Sequence, residues 1–371
     1  MTKLVGGADL PPGVARDVGL APWTTLGLGG AADYFVEARA EDDVARTVAW
    51  ANGHGLPLVV LGGGSNVVVG DQGIRGVVLR MATRGLRFDP DGTAVAAAGE
   101  PWDAFVDAAV ARGLAGVEGL AGIPGLVGAT PIQNVGAYGQ EVAETIREVR
   151  VLDRASGRIT TLAPSACAFG YRDSAFRRNP LAYVVLTVTF ALRPGGPPSL
   201  RYRELQEALA GHVSPSLAEV AATVRALRGK KSMLLDASDP NRRSVGSFFT
   251  NPVLGADGFA ALVARAVAAG VVHAPAEVPR FATEGGAYKV PAAWLIERAG
   301  FSKGLRRGTV GISSAHALAL VHHGGGTTAD LMALAEEIRA GVAATFGVSL
   351  SREPVLLGAD PAAVPPIAPP A

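Results

Sequence analysis

Leu58-Val59-Val60-Leu61-Gly62-Gly63-Gly64-Ser65-Asn66 joins four apolar residues to three glycines and two short polar side chains. The apolar four read as a short buried strand that the glycines end. Consecutive glycines let backbone amides converge on an anion, and Ser65 and Asn66 add side-chain hydrogen bonds. A tight strand-to-strand turn is the other reading, since Val67–Val69 reads as a further strand. No lysine stands where a P-loop needs one, and no G-x-G-x-x-G opens a strand–helix–strand unit. The residues therefore disfavour both a triphosphate site and a doubly wound dinucleotide fold.

On either side, helix and strand alternate. Glu41–Gly53 carries Val44, Val48 and Ala51 at helical spacing and ends in glycine. Residues 77–79 read as a strand after the turn Asp71-Gln72-Gly73, and 102–112 as a second amphipathic helix. This alternation indicates an α+β or α/β architecture. Residues 116–139 then bring a glycine every few positions, with Pro124 and Pro131. Such a segment suits a loop whose backbone approaches a large ligand. Residues 149–152 and 158–162 read as a hairpin, 183–192 as a β-rich run, and Arg193-Pro194-Gly195-Gly196-Pro197-Pro198 as a linker. Beyond it the pattern predicts helices over 216–228, 258–269, 291–299 and 327–346, and strands over 317–321 and Val355–Leu357.

At 371 residues the chain is too long for one ordinary core, so two or three domains are expected. With 34 basic and 33 acidic residues the charge is balanced, which argues against a nucleic-acid partner. A single cysteine, Cys167, excludes an internal disulfide framework and a cysteine metal site. His316, His322 and His323 do not make a metal site by pattern, because adjacent residues on a strand face opposite ways; no metal is expected. The N-terminal 16 residues lack the basic and apolar blocks of a signal peptide, and no stretch reaches the length of a membrane span. A cytoplasmic monomer without a membrane partner is the expectation. The Pro/Ala-rich residues 359–371 are expected to be disordered.

Three residues stand out as chemistry. Arg172 lies in Tyr171-Arg172-Asp173-Ser174, Ser247 in Gly246-Ser247-Phe248-Phe249-Thr250-Asn251-Pro252, and Glu353 in Leu350-Ser351-Arg352-Glu353-Pro354. Arg172 is either a surface partner of Asp173 or a fixed fork for a carboxylate. A lone serine is commonly a turn or cap hydroxyl, and no G-x-S-x-G elbow supports hydrolase chemistry here. Tyr138 either serves a substrate or is a core aromatic with a satisfied hydroxyl.

Taken together these segments resemble the UDP-N-acetylmuramate dehydrogenase family, also called UDP-N-acetylenolpyruvoylglucosamine reductase or MurB. The resemblance runs from about Leu20 to Gly358. It rests on Thr25-Leu26-Gly27-Leu28-Gly29-Gly30, the Gly62–Asn66 turn, Gly119-Leu120-Ala121-Gly122-Ile123-Pro124-Gly125, Pro131-Ile132-Gln133-Asn134-Val135-Gly136-Ala137-Tyr138-Gly139, Phe169-Gly170-Tyr171-Arg172-Asp173-Ser174 and the Ser247 segment. An intact Tyr171–Ser174, with Tyr202 in the following insertion, is similar to the type I branch.

The resemblance implies an α+β protein. A vanillyl-alcohol-oxidase-type FAD domain in two subdomains would span 20–195, after an extension over 1–19. A substrate-binding domain would span 196–358. FAD would be held non-covalently by Gly62, Gly63, Gly64, Ser65 and Asn66 and by Gly122, Ile123, Pro124, Gly125, Gly128 and Ala129. NADPH would reduce the flavin, which would reduce UDP-N-acetylglucosamine enolpyruvate to UDP-N-acetylmuramate. Arg172 and Glu353 would stabilise the enolate, and Ser247 would deliver the proton. Because carboxyl groups at close range repel, Glu353 is expected to be protonated or tightly paired during turnover. Tyr138, Tyr171 and Asn251 would contact substrate. Tyr202 and Lys231, or the adjacent Lys230, would hold the diphosphate, with the Tyr202 loop closing as a lid. One departure is Arg352-Glu353-Pro354, where the family pattern has proline before the glutamate. Two alternatives remain: another flavin oxidoreductase of the same fold, which would not require the Ser247 segment, and a non-catalytic sugar-nucleotide binder, which predicts loss of Arg172, Ser247 or Glu353.

Overall fold

The computed structural model describes residues 10–358, so the expected disorder of 359–371 and most of the N-terminal reading lie outside the described residues. The chain forms two compact units. The first comprises the residues up to Val18, Ala32–Gly64 and Ile74–Leu235; the second comprises Gly19–Ala31, Ser65–Gly73 and the chain from Asp236 on.

In the first unit a four-stranded sheet runs Val14–Gly19, Ala31–Ala38, Ile74–Met81, Leu58–Leu61. The last three strands are parallel, and the Glu41–Gly53 helix supplies the crossover that parallel pairing demands. That helix starts where it does because the Asp43 carboxylate accepts the backbone N–H groups of Arg39 and Ala40, both at 2.9 Å. Its buried face is Val44, Val48, Trp50 and Ala51, and Trp50 meets Tyr34 edge-on at 5.2 Å.

A second, antiparallel sheet of the same unit runs Ile159–Leu162, Ile146–Asp153, Tyr183–Ala191, Thr93–Ala97, Leu86–Phe88. The Trp102–Ala111 helix packs on it through Phe105, whose ring lies 4.7 Å from that of Phe190. Cys167 is buried near this core, and burial pushes its thiol up to about 11, so it is an inert packing residue.

The Pro/Gly run after 192 does not act as a linker. Arg193–Pro194 pairs with Leu114–Ala115, and Gly195 donates to the Gly113 carbonyl at 2.9 Å. The chain remains in the first unit through the Arg203–Ala208 and Leu217–Lys230 helices and leaves it after Leu235. Tyr202 and Lys231, which the sequence reading puts in the 196–358 region, are thus members of the first unit.

The second unit packs the Ala256–Ala268, Ala292–Arg298 and Thr328–Phe346 helices with short strands around Phe248, Leu262, Leu295, Leu331, Ile338 and Phe346. The last helix follows its sequence signals closely. Thr327 caps it with Asp330 in a reciprocal box, and Gly347 ends it at φ +72°. The expected strand over 317–321 is displaced to Leu320–His322. Ser313 donates to the Ala319 carbonyl and Ala319 to that of His316, so the apolar residues before Leu320 turn a corner instead.

Candidate active site

Arg172 occupies the third position of a tight turn. Gly170 and Asp173 exchange both backbone hydrogen bonds, at 3.0 and 3.2 Å, and Arg172 sits between them at φ +53°. A non-glycine residue at positive φ is uncommon and costs on the order of 1–3 kcal/mol. The side chain explains why it is tolerated. Its guanidinium donates to the carbonyls of Asn134 and Gly136 and lies 4.0 Å from the Glu141 carboxylate. Asp173 pairs with Arg178. A Cβ on Gly136 would lie 3.0 Å from Arg172 Nη1 and 2.8 Å from Glu141 Cγ, so glycine there makes room for the arginine. Tyr171 is exposed, with the Arg172 guanidinium 5.4 Å from its ring centre.

Asn134 was not singled out from the sequence, yet it joins the two segments. Its Nδ2 donates to Glu141 at 2.7 Å and to the Gly170 carbonyl at 3.0 Å, and its Oδ1 accepts from Ala143 N–H. It also has positive φ, +44°. The only advance signal was an asparagine in a turn-rich run, a residue type that tolerates this conformation.

Two glycine loops of the first unit meet. A Cβ on Gly63 would lie 3.0 Å from the Gly125 Cα, so the bare backbones of Gly62–Gly64 and of Gly122–Ala129 run side by side. Gly63 is exposed and Ile123, Pro124 and Gly125 are half-buried. Gly128 is required by packing and Gly122 by its positive φ. At Gly128 a Cβ would lie 2.5 Å from Ala98 Cβ, and at Gly122, at φ +72°, 2.6 Å from Leu234 Cδ2. Both peptide groups of Gly122 are claimed. Its N–H donates to Asp103 at 2.6 Å, and its carbonyl accepts from Arg228 Nε at 3.1 Å. Arg225 braces the same Asp103 at 2.6 Å. Such a paired, glycine-faced backbone surface fits an extended cofactor that needs close approach of bare backbone. Asp103, Arg225 and Arg228 were invisible as site residues in the sequence, because helical charges usually face solvent.

A third cluster collects the expected diphosphate residues. Tyr138 is buried and at φ +47°, and its ring meets Tyr202 edge-on at 5.3 Å. Lys231 Nζ lies 5.8 Å from the Tyr138 ring centre and 2.6 Å from Glu204 Oε2. Lys230 is exposed, so Lys231 is the lysine that joins the tyrosines. Burial pushes the Tyr138 phenol up to about 12 and raises that of Tyr202. Both remain neutral donors throughout the physiological range.

The second unit pairs the backbone of the Ser247 segment with that of the Glu353 segment. Ser247 pairs with Ala319 and Phe249 with Arg352 as isolated bridges. Glu353 N–H donates to the Phe248 carbonyl, and Thr250 N–H to that of Ser351, both at 3.0 Å. Asn251 Oδ1 accepts from Ala292 N–H at 2.8 Å, which fixes its amide at the start of the Ala292–Arg298 helix. Two residues beyond Glu353, Val355 N–H donates to the Asn66 carbonyl, and Val355–Leu357 pairs in parallel with Val67–Val69. Ser65 and Asn66 are therefore tied to the Glu353 segment within one unit.

A family model described as an FAD binding domain matches residues 32–163, and one described as the UDP-N-acetylenolpyruvoylglucosamine reductase C-terminal domain matches 239–357. Among curated relatives, the UDP-N-acetylenolpyruvoylglucosamine reductase of Thermobifida fusca is 49% identical over 93% of this chain and 98% of its own. The chain belongs to the UDP-N-acetylenolpyruvoylglucosamine reductase (MurB) family. The Streptomyces coelicolor reductase is likewise 49% identical, over 92% of this chain and 90% of its own. Among solved structures, the MurB of Thermus caldophilus matches with a TM-score of 0.64 and 26% identity, over 93% of this chain and 98% of that one.

The expected MurB α+β architecture is what the structure and these matches show. Arg172, Tyr171, Tyr138, Tyr202, Lys231 and both glycine loops up to Gly64 fall in the first unit. Ser65, Asn66, Ser247, Asn251 and Glu353 fall in the second.

Proposed function

We propose that Arg172, Ser247 and Glu353 manage the charge and the proton in the reduction of UDP-N-acetylglucosamine enolpyruvate. The protein is an FAD-dependent, NADPH-oxidising reductase of that substrate, acting in peptidoglycan precursor synthesis. FAD held at Gly62–Asn66 and Gly122–Ala129 would supply the hydride for the enolpyruvyl group. Negative charge then develops beside the substrate carboxylate and spreads into an enolate, which needs electrostatic stabilisation as it forms.

Arg172 supplies a permanent cation held by the Asn134 and Gly136 carbonyls, so little reorganisation is needed when the charge appears. The observation that carries this reading is its φ of +53°: a strained backbone in a functional turn, fixed by its own side chain. Ser247 protonates the adjacent carbon. An alcohol is a weak acid, but the enolate is a strong base and fixed geometry raises the effective concentration of the donor. Glu353 assists the stabilisation. Gly62–Asn66 and Gly122–Ala129 hold the cofactor, Tyr138, Tyr171 and Asn251 contact substrate, and Tyr202 and Lys231 hold the diphosphate. Cytoplasmic action as a monomer belongs to the same reading. Among the described residues no helix is long and apolar enough to cross a membrane.

The test is an anaerobic titration followed by flavin absorbance. NADPH should bleach the bound flavin, and UDP-N-acetylglucosamine enolpyruvate should restore it. Bleaching without recovery would move the assignment to another oxidant, and failure to take up FAD would overturn the reading.

A further inference from the structure

We infer that Glu204 is an internal anion that competes with the substrate diphosphate for Lys231 and so sets the charge selectivity of this site. The inference rests on the assignment of Lys231 to the diphosphate. The Lys231 ammonium is engaged by Glu204 Oε2 at 2.6 Å, and both side chains are about one-third exposed.

The pair is built into the fold. Glu204 stands in the first turn of the Arg203–Ala208 helix, two residues after Tyr202, and Leu205 beside it is fully buried. Lys231 caps the C-terminal end of the Leu217–Lys230 helix. A carboxylate at a helix start and a cation at a helix end are each favoured by the peptide dipoles. Tyr138 and Tyr202, in edge-on contact, stand beside the ammonium. The carboxylate therefore belongs to the segment expected to fold over the nucleotide.

A diphosphate reaching Lys231 meets a negative charge already in place, and repulsion requires Glu204 to withdraw. A partly exposed ion pair is worth up to about fivefold in an equilibrium constant. The population able to receive ligand, and the apparent affinity with it, falls by a similar factor. A diphosphate that needs Lys231 bears that loss in full, whereas a monophosphate that does not reach the lysine escapes it. Glu204 thus lowers diphosphate affinity and tempers the preference for two phosphates over one.

The FAD-loaded protein should be titrated with UDP and with UMP by calorimetry, as wild type, Glu204→Gln, Lys231→Ala and the double variant. Glu204→Gln should bind UDP about fivefold more tightly, gain less for UMP and so widen the UDP/UMP ratio, with flavin absorbance unchanged. In the Lys231→Ala background the same change should bring no gain, because the shared cation is gone. Unchanged or weaker UDP binding by Glu204→Gln would overturn the inference and make the carboxylate a support for Lys231. If Lys231→Ala leaves UDP binding intact, the diphosphate assignment itself falls. If Lys231→Ala weakens binding and Glu204→Gln does not strengthen it, the competition alone falls.

Discussion

Glu353 donates its backbone N–H to the carbonyl of Phe248, the residue after Ser247, at 3.0 Å. Two groups more than a hundred positions apart in sequence are thereby set on neighbouring strand-like segments of one unit. The next residues fix Asn66 in the same way, through Val355 N–H. A single C-terminal stretch thus holds the backbones that carry Ser247, Glu353 and part of the expected cofactor turn.

Ser247→Ala should separate the two half-reactions. Flavin reduction by NADPH should stay close to wild type, while reoxidation by the enolpyruvate should slow by roughly 10²–10⁴-fold, the usual worth of a positioned acid. Rapid mixing measures each step separately. Equal slowing of both would remove the proton-donor role.

Arg172→Lys should fail to replace arginine. Lysine keeps the charge but cannot span the Asn134 and Gly136 carbonyls with a planar fork. We expect reoxidation to slow by at least tenfold, measured by stopped-flow absorbance. The variant turn also loses the contacts that hold φ at +53°, so its amides should exchange hydrogen faster.

Gly128→Ala tests the cofactor loop through packing. The new methyl would lie 2.5 Å from Ala98 Cβ and 2.9 Å from its Cα, neither of which is a flexible chain end. Overpacking of this kind costs about 1–3 kcal/mol. Chemical denaturation should show that loss, and the purified protein should carry less FAD.

Asp103→Asn should loosen the Gly122 loop while sparing the fold. The amide still offers an oxygen to Gly122 N–H but gives up the charge that braces Arg225. FAD affinity should fall by roughly three- to tenfold, as expected for weakening one charge-assisted hydrogen bond. Fluorescence of released flavin reports it, and an unchanged affinity would leave Asp103 a structural residue only.

Tyr138 should make stability depend on pH only in the alkaline range. Its folded phenol titrates at about 12, whereas an unfolded tyrosine titrates near 10. Above the lower value the unfolded chain releases a proton that the folded one keeps, so stability falls as pH rises. Below it the contribution is complete and flat. The slope from this group approaches about 1.4 kcal/mol per pH unit between the two values. Tyr138→Phe should flatten that part of the denaturation-versus-pH curve, and an unaltered slope would refute the burial argument.

Local chemistry made the helices legible. Thr327 with Asp330, Ser216 with Glu219, and the apolar faces of Glu41–Gly53 and Thr328–Phe346 announce themselves within one turn. The strands Ala31–Ala38 and Thr93–Ala97 were missed. Both are buried, alanine-containing runs without alternation, and only pairing with Ile74–Met81 and Tyr183–Ala191 makes them strands. Arg193–Pro194 was misread for the converse reason: its composition signals a break, but Leu114–Ala115 offers it a partner.

The sequence by itself determined the chemistry available and its order along the chain: an arginine in a turn, a serine among aromatics, a late glutamate, and two glycine loops, together sufficient to indicate the family. Tertiary structure alone decided what each group touches. It turned Arg172 from Asp173 to the Asn134 and Gly136 carbonyls, set Lys231 rather than Lys230 beside Tyr138 with Glu204 as its partner, and gave Asn134 and Asp103 their hydrogen bonds to the turns. Residue type and spacing govern local hydrogen bonding and periodicity. The direction of a side chain at positive φ, or its partner a hundred residues away, depends on packing that exists only once the chain has closed on itself.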